Sequence, residues 1–186
     1  MAIEIEKKYR LSKKQRDEVL LRLPSIGARR KGEDFEVNTL YSGEGLEIGS
    51  CVLRLRRIGK RGFLTYKQRF ASNSDIKHQR EDETRVDDPD AMEAILEALG
   101  FEPSLVYEKR RETWTLGKTE IVIDELPFGL FMEIEGDEKG IRDVESKLAI
   151  KRLRAEPATY PQLTQKHGTD NAGVVESRFS EKPNAR

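Results

Sequence analysis

Residues 1–11 read Met1-Ala2-Ile3-Glu4-Ile5-Glu6-Lys7-Lys8-Tyr9-Arg10-Leu11. Glu4, Glu6, Lys8 and Arg10 alternate with Ile3, Ile5, Lys7 and Tyr9. Successive side chains on a strand point to opposite faces, so the alternation predicts a strand over residues 3–10 with one charged face. A strand at a chain start usually turns such a face to water. Two acids followed by a base on one line therefore need the rest of the sequence to explain them.

The same period-two pattern returns along the chain. It appears at 35–41, after the loop Ala28-Arg29-Arg30-Lys31-Gly32, and at 52–58, where Arg54 and Arg56 share one side. Residues 59–62 read as a hairpin turn between two glycines. A returning strand follows at 63–70, with Thr65, Lys67 and Arg69 on one face. Residues 76–86 form another highly charged strand, 101–116 one or two more, and Gly117-Lys118 turns into 119–124. The last strand covers 130–136. Helices are expected at 12–23, with Ser12 as N-cap, and at 88–99, which opens Asp-Asp-Pro and closes on Gly100. Weaker helical stripes cover 140–153 and 158–166. About eight short strands with turn signals predict an α+β fold, an eight-stranded antiparallel β-barrel flanked by helices. Residues 1–167 are expected to form a single domain, with 168–186 a loose polar tail.

Composition narrows the function. The 186 residues balance 34 basic against 34 acidic side chains. That balance argues against a general nucleic-acid or membrane-surface binder, so the charges must be read by position. A single cysteine, Cys51, rules out an internal disulfide and suggests a reduced, cytoplasmic setting. Two histidines and one cysteine leave little for a structural zinc site. No run of about 18 apolar residues is present, so no membrane-spanning helix is expected.

Charged faces recur on six of the strands. Acids come from Glu4 and Glu6, Asp124, and Glu133 and Glu135. Bases come from Lys8, Arg54 and Arg56, Lys67, and Lys109 and Arg111. A single such face is normally solvated. Here the opposite faces, Met132 and Ile134 among them, could pack under helices outside a barrel, which turns the charges inward. A lumen lined by both signs is costly unless the charges pair or bind something. Bases hold anions, clustered acids hold divalent cations, and a polyphosphate with Mg²⁺ or Mn²⁺ needs both.

In order, these residues resemble a known family. Glu4-x-Glu6-x-Lys8 resembles the ExExK signature of the CYTH domain, or triphosphate tunnel metalloenzymes. Leu53-Arg54-Leu55-Arg56, Thr65-Tyr66-Lys67, Lys109-Arg110-Arg111, Asp124, Glu133-Ile134-Glu135 and Tyr160-x-x-Leu163 resemble its later elements, over about 3–163. The resemblance implies a barrel tunnel in which Lys8, Arg54, Arg56, Lys67, Lys109 and Arg111 grip phosphate oxygens. Glu4, Glu6, Asp124, Glu133 and Glu135 would hold the metal, with Glu4, Glu6 and Lys8 at the centre of catalysis. Glu81 and Glu83 lie on a strand whose register the sequence does not fix. The family's Asp-Thr-x-Tyr-Asp stretch is here Asn38-Thr39-Leu40-Tyr41-Ser42, without its two acids.

The implied activity is metal-dependent hydrolysis of a small-molecule triphosphate: inorganic triphosphate, thiamine triphosphate or a nucleoside triphosphate. A class IV adenylate cyclase, forming cyclic AMP and pyrophosphate, is the alternative enzyme. The His-Phe element of those cyclases does not precede Glu4, and Glu135 resembles the hydrolases. A non-catalytic polyphosphate-binding module is a third reading, which the intact acidic set argues against. Some members of the family pair as homodimers, and no patch in this sequence decides the point.

Overall fold

The opening alternation becomes a ten-residue strand, β1 (Ala2–Leu11). The computed structural model describes residues 2–46, 50–69, 77–150 and 152–180, and for 2–4, 69, 77 and 78 the backbone alone. Ser12 then starts helix α1 (Lys13–Ser25) through a capping box with Gln15. Next come β2 (Arg29–Ser42), β3 (Cys51–Ile58), β4 (Arg61–Arg69), β5 (Lys77–Val86) and α2 (Pro89–Ala98). The chain continues through β6 (Glu102–Leu116), β7 (Thr119–Leu126), β8 (Gly129–Glu135), α3 (Glu138–Lys147) and α4 (Tyr160–His167), ending with β9 (Thr169–Asn171) and β10 (Val174–Ser177).

Eight strands follow one another in the order β2-β3-β4-β5-β1-β8-β7-β6, and β6 pairs back onto β2. Each of these pairings is antiparallel, so the expected α+β barrel is the observed one. Turns read from glycine close two of its hairpins. Gly59 (φ 57°) joins β3 to β4 and Gly117 (φ 62°) joins β6 to β7, in the left-handed region that glycine enters at little cost.

The side chains on the outer face of the barrel pack under helices. Tyr9, Ile121, Ile123, Met132 and Ile134 bury against Val19 and Leu23 of α1 and Ile141 and Val144 of α3. On the other side, Leu55 and Val86 pack against Leu96 of α2. Each fully buried aliphatic side chain contributes on the order of 1.5–3 kcal/mol. This covering of the outer face turns the alternate residues into the barrel. Among the described residues, no helix is long and apolar enough to cross a membrane.

Two expectations need correction. Residues 140–153 do not form one helix. Asp137 caps α3 earlier, accepting from the Gly140 backbone N–H at 2.6 Å. Ala149 ends it by adopting φ 54°, where the chain turns back. Nor is the segment beyond Gly168 only a loose tail. Residues 169–177 form a hairpin whose strand β10 runs parallel to β6, Val175 beside Leu105 and Ser177 beside Tyr107. Phe179 N–H then donates to Glu108 Oε2 at 2.9 Å, and the Phe179 ring lies 4.1 Å from the Arg110 guanidinium. Sequence composition hid this hairpin because its strands are three and four residues long and largely polar.

Candidate active site

The alternation that buries the outer face fills the inside of the barrel with charge. It surrounds a cavity of about 540 Å³. All six expected phosphate-gripping residues line it: Lys8 from β1, Arg54 and Arg56 from β3, Lys67 from β4, and Lys109 and Arg111 from β6. Lys8, Lys109 and Arg111 come from strands on two sides of the ring, and only the closed barrel brings them together.

Each base is held by named partners. Lys8 Nζ lies 3.0 Å from the Ala158 carbonyl and 3.5 Å from Glu133 Oε1, over the face of Tyr160 at 4.0 Å. Arg54 donates to Thr65 Oγ1 at 3.2 Å, and Arg56 to both oxygens of Glu83 at 2.9 and 3.1 Å. Lys67 pairs with Glu81 at 2.9 Å. Lys109 sits between Glu36 at 3.2 Å and Asp124 at 3.6 Å. Arg111 makes a bidentate pair with Asp124, at 2.8 and 2.6 Å, and reaches Glu133 at 2.7 Å. Burial alone would lower the pKa of Arg111, but the charges of Asp124, Glu36 and Glu133 hold it well above its ordinary value.

Two donors in this wall are left over. Nε of Arg54 and Nε of Arg56 are buried and have no hydrogen-bond partner among the described residues. A buried N–H without an acceptor costs about 1–3 kcal/mol, and the described residues supply none to these two. Two guanidinium donors in a cavity ringed with cations suit the oxygens of a phosphate chain.

The expected metal-holding acids divide into two groups. Glu6, Glu133 and Glu135 line the cavity. Glu6 on β1 is paired in register with Glu135 on β8, and Glu135 in turn with Glu120 on β7. Carboxylates directly opposed across strands stand with Cβ atoms about 4.5–5.5 Å apart and repel each other unless a cation or proton intervenes. The Glu4 side chain lies outside the described residues, although its backbone pairs with Gln79 on the same line of β1 as Glu6. Asp124 differs. It is fully buried behind the wall, its oxygens accepting from Arg111 and from the Tyr160 hydroxyl at 2.7 Å. Among the described residues, no three acidic, histidine or cysteine side chains converge into a ready-made cage. The row Glu6–Glu135–Glu120 nonetheless offers only oxygen donors from adjacent strands, which suits Mg²⁺ or Mn²⁺ in kind.

Residues outside the expected phosphate and metal set also line the cavity or stand behind its wall. Glu81 and Glu83 both face inward, which settles their register. Glu120 shares the face of Asp124 on β7 and could have been found by that parity. Glu36, 1% exposed, faces Lys109 from β2. Burial favours its neutral form, yet the charges of Lys109, Arg111, Arg56 and Arg54 outweigh burial and keep it ionised far below the ordinary carboxylate range. Tyr160, at the start of α4, packs its ring on Phe131 and Tyr107 and closes part of the lumen. Burial first, and then the charges of Asp124 and Glu133, hold its hydroxyl well above pKa 10, so it stays a donor.

The fold is shared. A protein from Pyrococcus horikoshii, PH1012, superposes with a TM-score of 0.74 at 25% identity, over 86% of this chain and 98% of its own. A candidate adenylate cyclase from Vibrio parahaemolyticus has the same fold, with TM-score 0.66 and 24% identity over 85% of this chain and 95% of its own. So does HpAC1 from Hippeastrum, a candidate adenylyl cyclase described as having a dominant triphosphatase activity, with TM-score 0.66 and 18% identity over 88% of this chain and 93% of its own. Among curated proteins, none matches. The CYTH domain model matches residues 2–165, which include every strand of the ring and the charged positions inside it. By that match, this chain belongs to the CYTH family.

Proposed function

We propose that this protein is a metal-dependent triphosphatase, which takes a small-molecule triphosphate into its barrel and releases the terminal phosphate. The observation that carries the reading is the set of six cations, Lys8, Arg54, Arg56, Lys67, Lys109 and Arg111, lining one cavity together with the Glu6–Glu135–Glu120 row. They offer a chain of phosphate oxygens several charged donors at once. Inorganic triphosphate, thiamine triphosphate and nucleoside triphosphates share that chain.

Lys8, Arg54, Arg56, Lys67, Lys109 and Arg111 would hold and orient the phosphates and neutralise the charge that develops as the terminal bridge breaks. The water oxygen forms the new P–O bond while the bridging oxygen leaves with the remaining diphosphate. Glu6, Glu135, Glu133 and Glu4 would hold the cation, with Glu120 extending their row. When bound, Mg²⁺ or Mn²⁺ would neutralise phosphate oxygens and acidify a water molecule. The partially closed lumen limits free water around the bases, which strengthens each charge contact.

The test is incubation with Mg²⁺ or Mn²⁺ and, separately, inorganic triphosphate, thiamine triphosphate and ATP. Release of free phosphate from any of them supports the proposal. Cyclic AMP and pyrophosphate from ATP, without free phosphate, overturn it in favour of a cyclase. Thermal stabilisation by triphosphate without any turnover overturns it in favour of a binding module.

A further inference from the structure

Glu36 is a buried carboxylate that the proposed hydrolysis does not use. It lies on β2, which stands across the ring from β1. In the ring, β2 is flanked by β3 and β6, and Glu36 reaches a cation on each. Lys109 Nζ on β6, directly opposite it in register, is 3.2 Å away, and Arg56 Nη1 on β3 is 3.6 Å away. Asn38 Nδ2, two residues on and on the same face, lies 3.4 Å from Glu36 Oε2.

A buried charge is expensive, and a barrel position that served only the fold would be better filled by an apolar or neutral side chain. Four cations, Lys109, Arg111, Arg56 and Arg54, crowd this part of the lumen and repel one another. Glu36, between Lys109 and Arg56, lets these two cations stay close together and point inward before any phosphate arrives.

We infer that Glu36 is a positioning residue that gathers Lys109 and Arg56 from the two flanking strands into one phosphate-gripping group. The inference rests on the triphosphate reading of the cavity, and it makes a prediction of opposite sign to simple electrostatics. Glu36→Gln removes a negative charge from an anion site. If Glu36 merely competed with phosphate for its cations, the variant would bind triphosphate more tightly. If it positions them, binding weakens. The other partners, Glu83 for Arg56 and Asp124 for Lys109, remain in the variant to support the fold.

The experiment titrates inorganic triphosphate into wild type, Glu36→Gln and Glu36→Asp without added metal. The Kd is read from ligand-dependent melting and each value is corrected for the folded fraction. Kcat and KM are measured in parallel with Mg²⁺. The expected result is about tenfold weaker binding by Glu36→Gln, with a matching rise in KM, and a smaller loss for Glu36→Asp, which keeps the charge but draws it back by one methylene. Unchanged or tighter binding by a folded variant overturns the inference, as does failure of both variants to fold, which would make Glu36 a folding residue alone. A wild type that binds triphosphate without hydrolysing it overturns the proposed activity but not the role of Glu36. A wild type that binds no triphosphate overturns both.

Discussion

Glu6 and Glu135 stand directly opposite each other on neighbouring antiparallel strands, both in the cavity wall. Residues so distant in sequence are facing carboxylates only because β1 lies between β5 and β8 in the ring. Two opposed acids in a half-shielded lumen offer a divalent cation oxygen ligands from adjacent strands. Millimolar Mg²⁺ or Mn²⁺ is therefore expected to raise the melting temperature of the wild type, and chelation to reverse the gain. Glu6→Gln should melt without that metal-dependent gain and lose about a hundredfold or more in kcat, as removal of a charged group acting in a transition state does. A full metal-dependent shift in Glu6→Gln would show that the cation is held elsewhere.

Arg54 carries one of the two leftover Nε donors. Arg54→Lys keeps the charge but removes that N–H and the planar fork. The expected effect is about a tenfold rise in KM, about 1.4 kcal/mol, with little change in kcat and an unchanged fold by circular dichroism. An equal loss from kcat and kcat/KM would mean that the contact forms only in the transition state.

Tyr160 donates to Asp124 Oδ2, which Arg111 also holds. Tyr160→Phe keeps the ring edge-to-face with Phe131 and removes the hydroxyl. The loss is expected at about 1 kcal/mol in urea unfolding, the net worth of one hydrogen bond, since Arg111 remains on Asp124. Turnover should fall less than in Glu6→Gln. A loss of several kcal/mol would mean that the hydroxyl holds more of the lumen wall than this one bond.

Behind β1, Lys7 and the Tyr9 hydroxyl both bond to Glu145 on α3. Burial pushes the Glu145 pKa up, but the hydrogen bonds from Tyr9 and Lys7 outweigh it and hold it below its ordinary 4.5. A carboxyl whose pKa is depressed on folding contributes stability above its unfolded value and loses it as pH falls from about 4.5 through the lower folded value. Urea unfolding at pH 7 and at progressively lower pH should show this loss. Glu145→Gln should be less stable than wild type at pH 7, with the difference shrinking below pH 4.5. A difference that stays constant with pH would assign the effect to packing.

What the sequence revealed and what it hid have a common physical basis. Parity along a strand placed Glu6 with Lys8, Arg54 with Arg56 and Glu133 with Glu135, because period two survives any register. Pairing across strands was not legible. Glu36 gave no signal as a single acid beside Val37 and Asn38, since its role depends on Lys109 on a strand some seventy positions later. Glu81 and Glu83 could not be placed until β4 fixed their register. Asp124 was read as a metal ligand from the family resemblance; that its oxygens accept from Arg111 and Tyr160, side chains from β6 and α4, is something only the tertiary fold brings out.

Because β1 is paired on one side with β5 and on the other with β8, the ring cannot close while the chain is still being made. The sheet from β2 to β5 and β1 can form once β5 has left the ribosome. The far edge of β1 and the free edge of β2 then stay unpaired until β8 and β6 follow, each presenting a row of backbone N–H and C=O groups that invite pairing with another chain. The hazard of misassembly for this protein lies on those two edges, in the interval before its last barrel strand is synthesised.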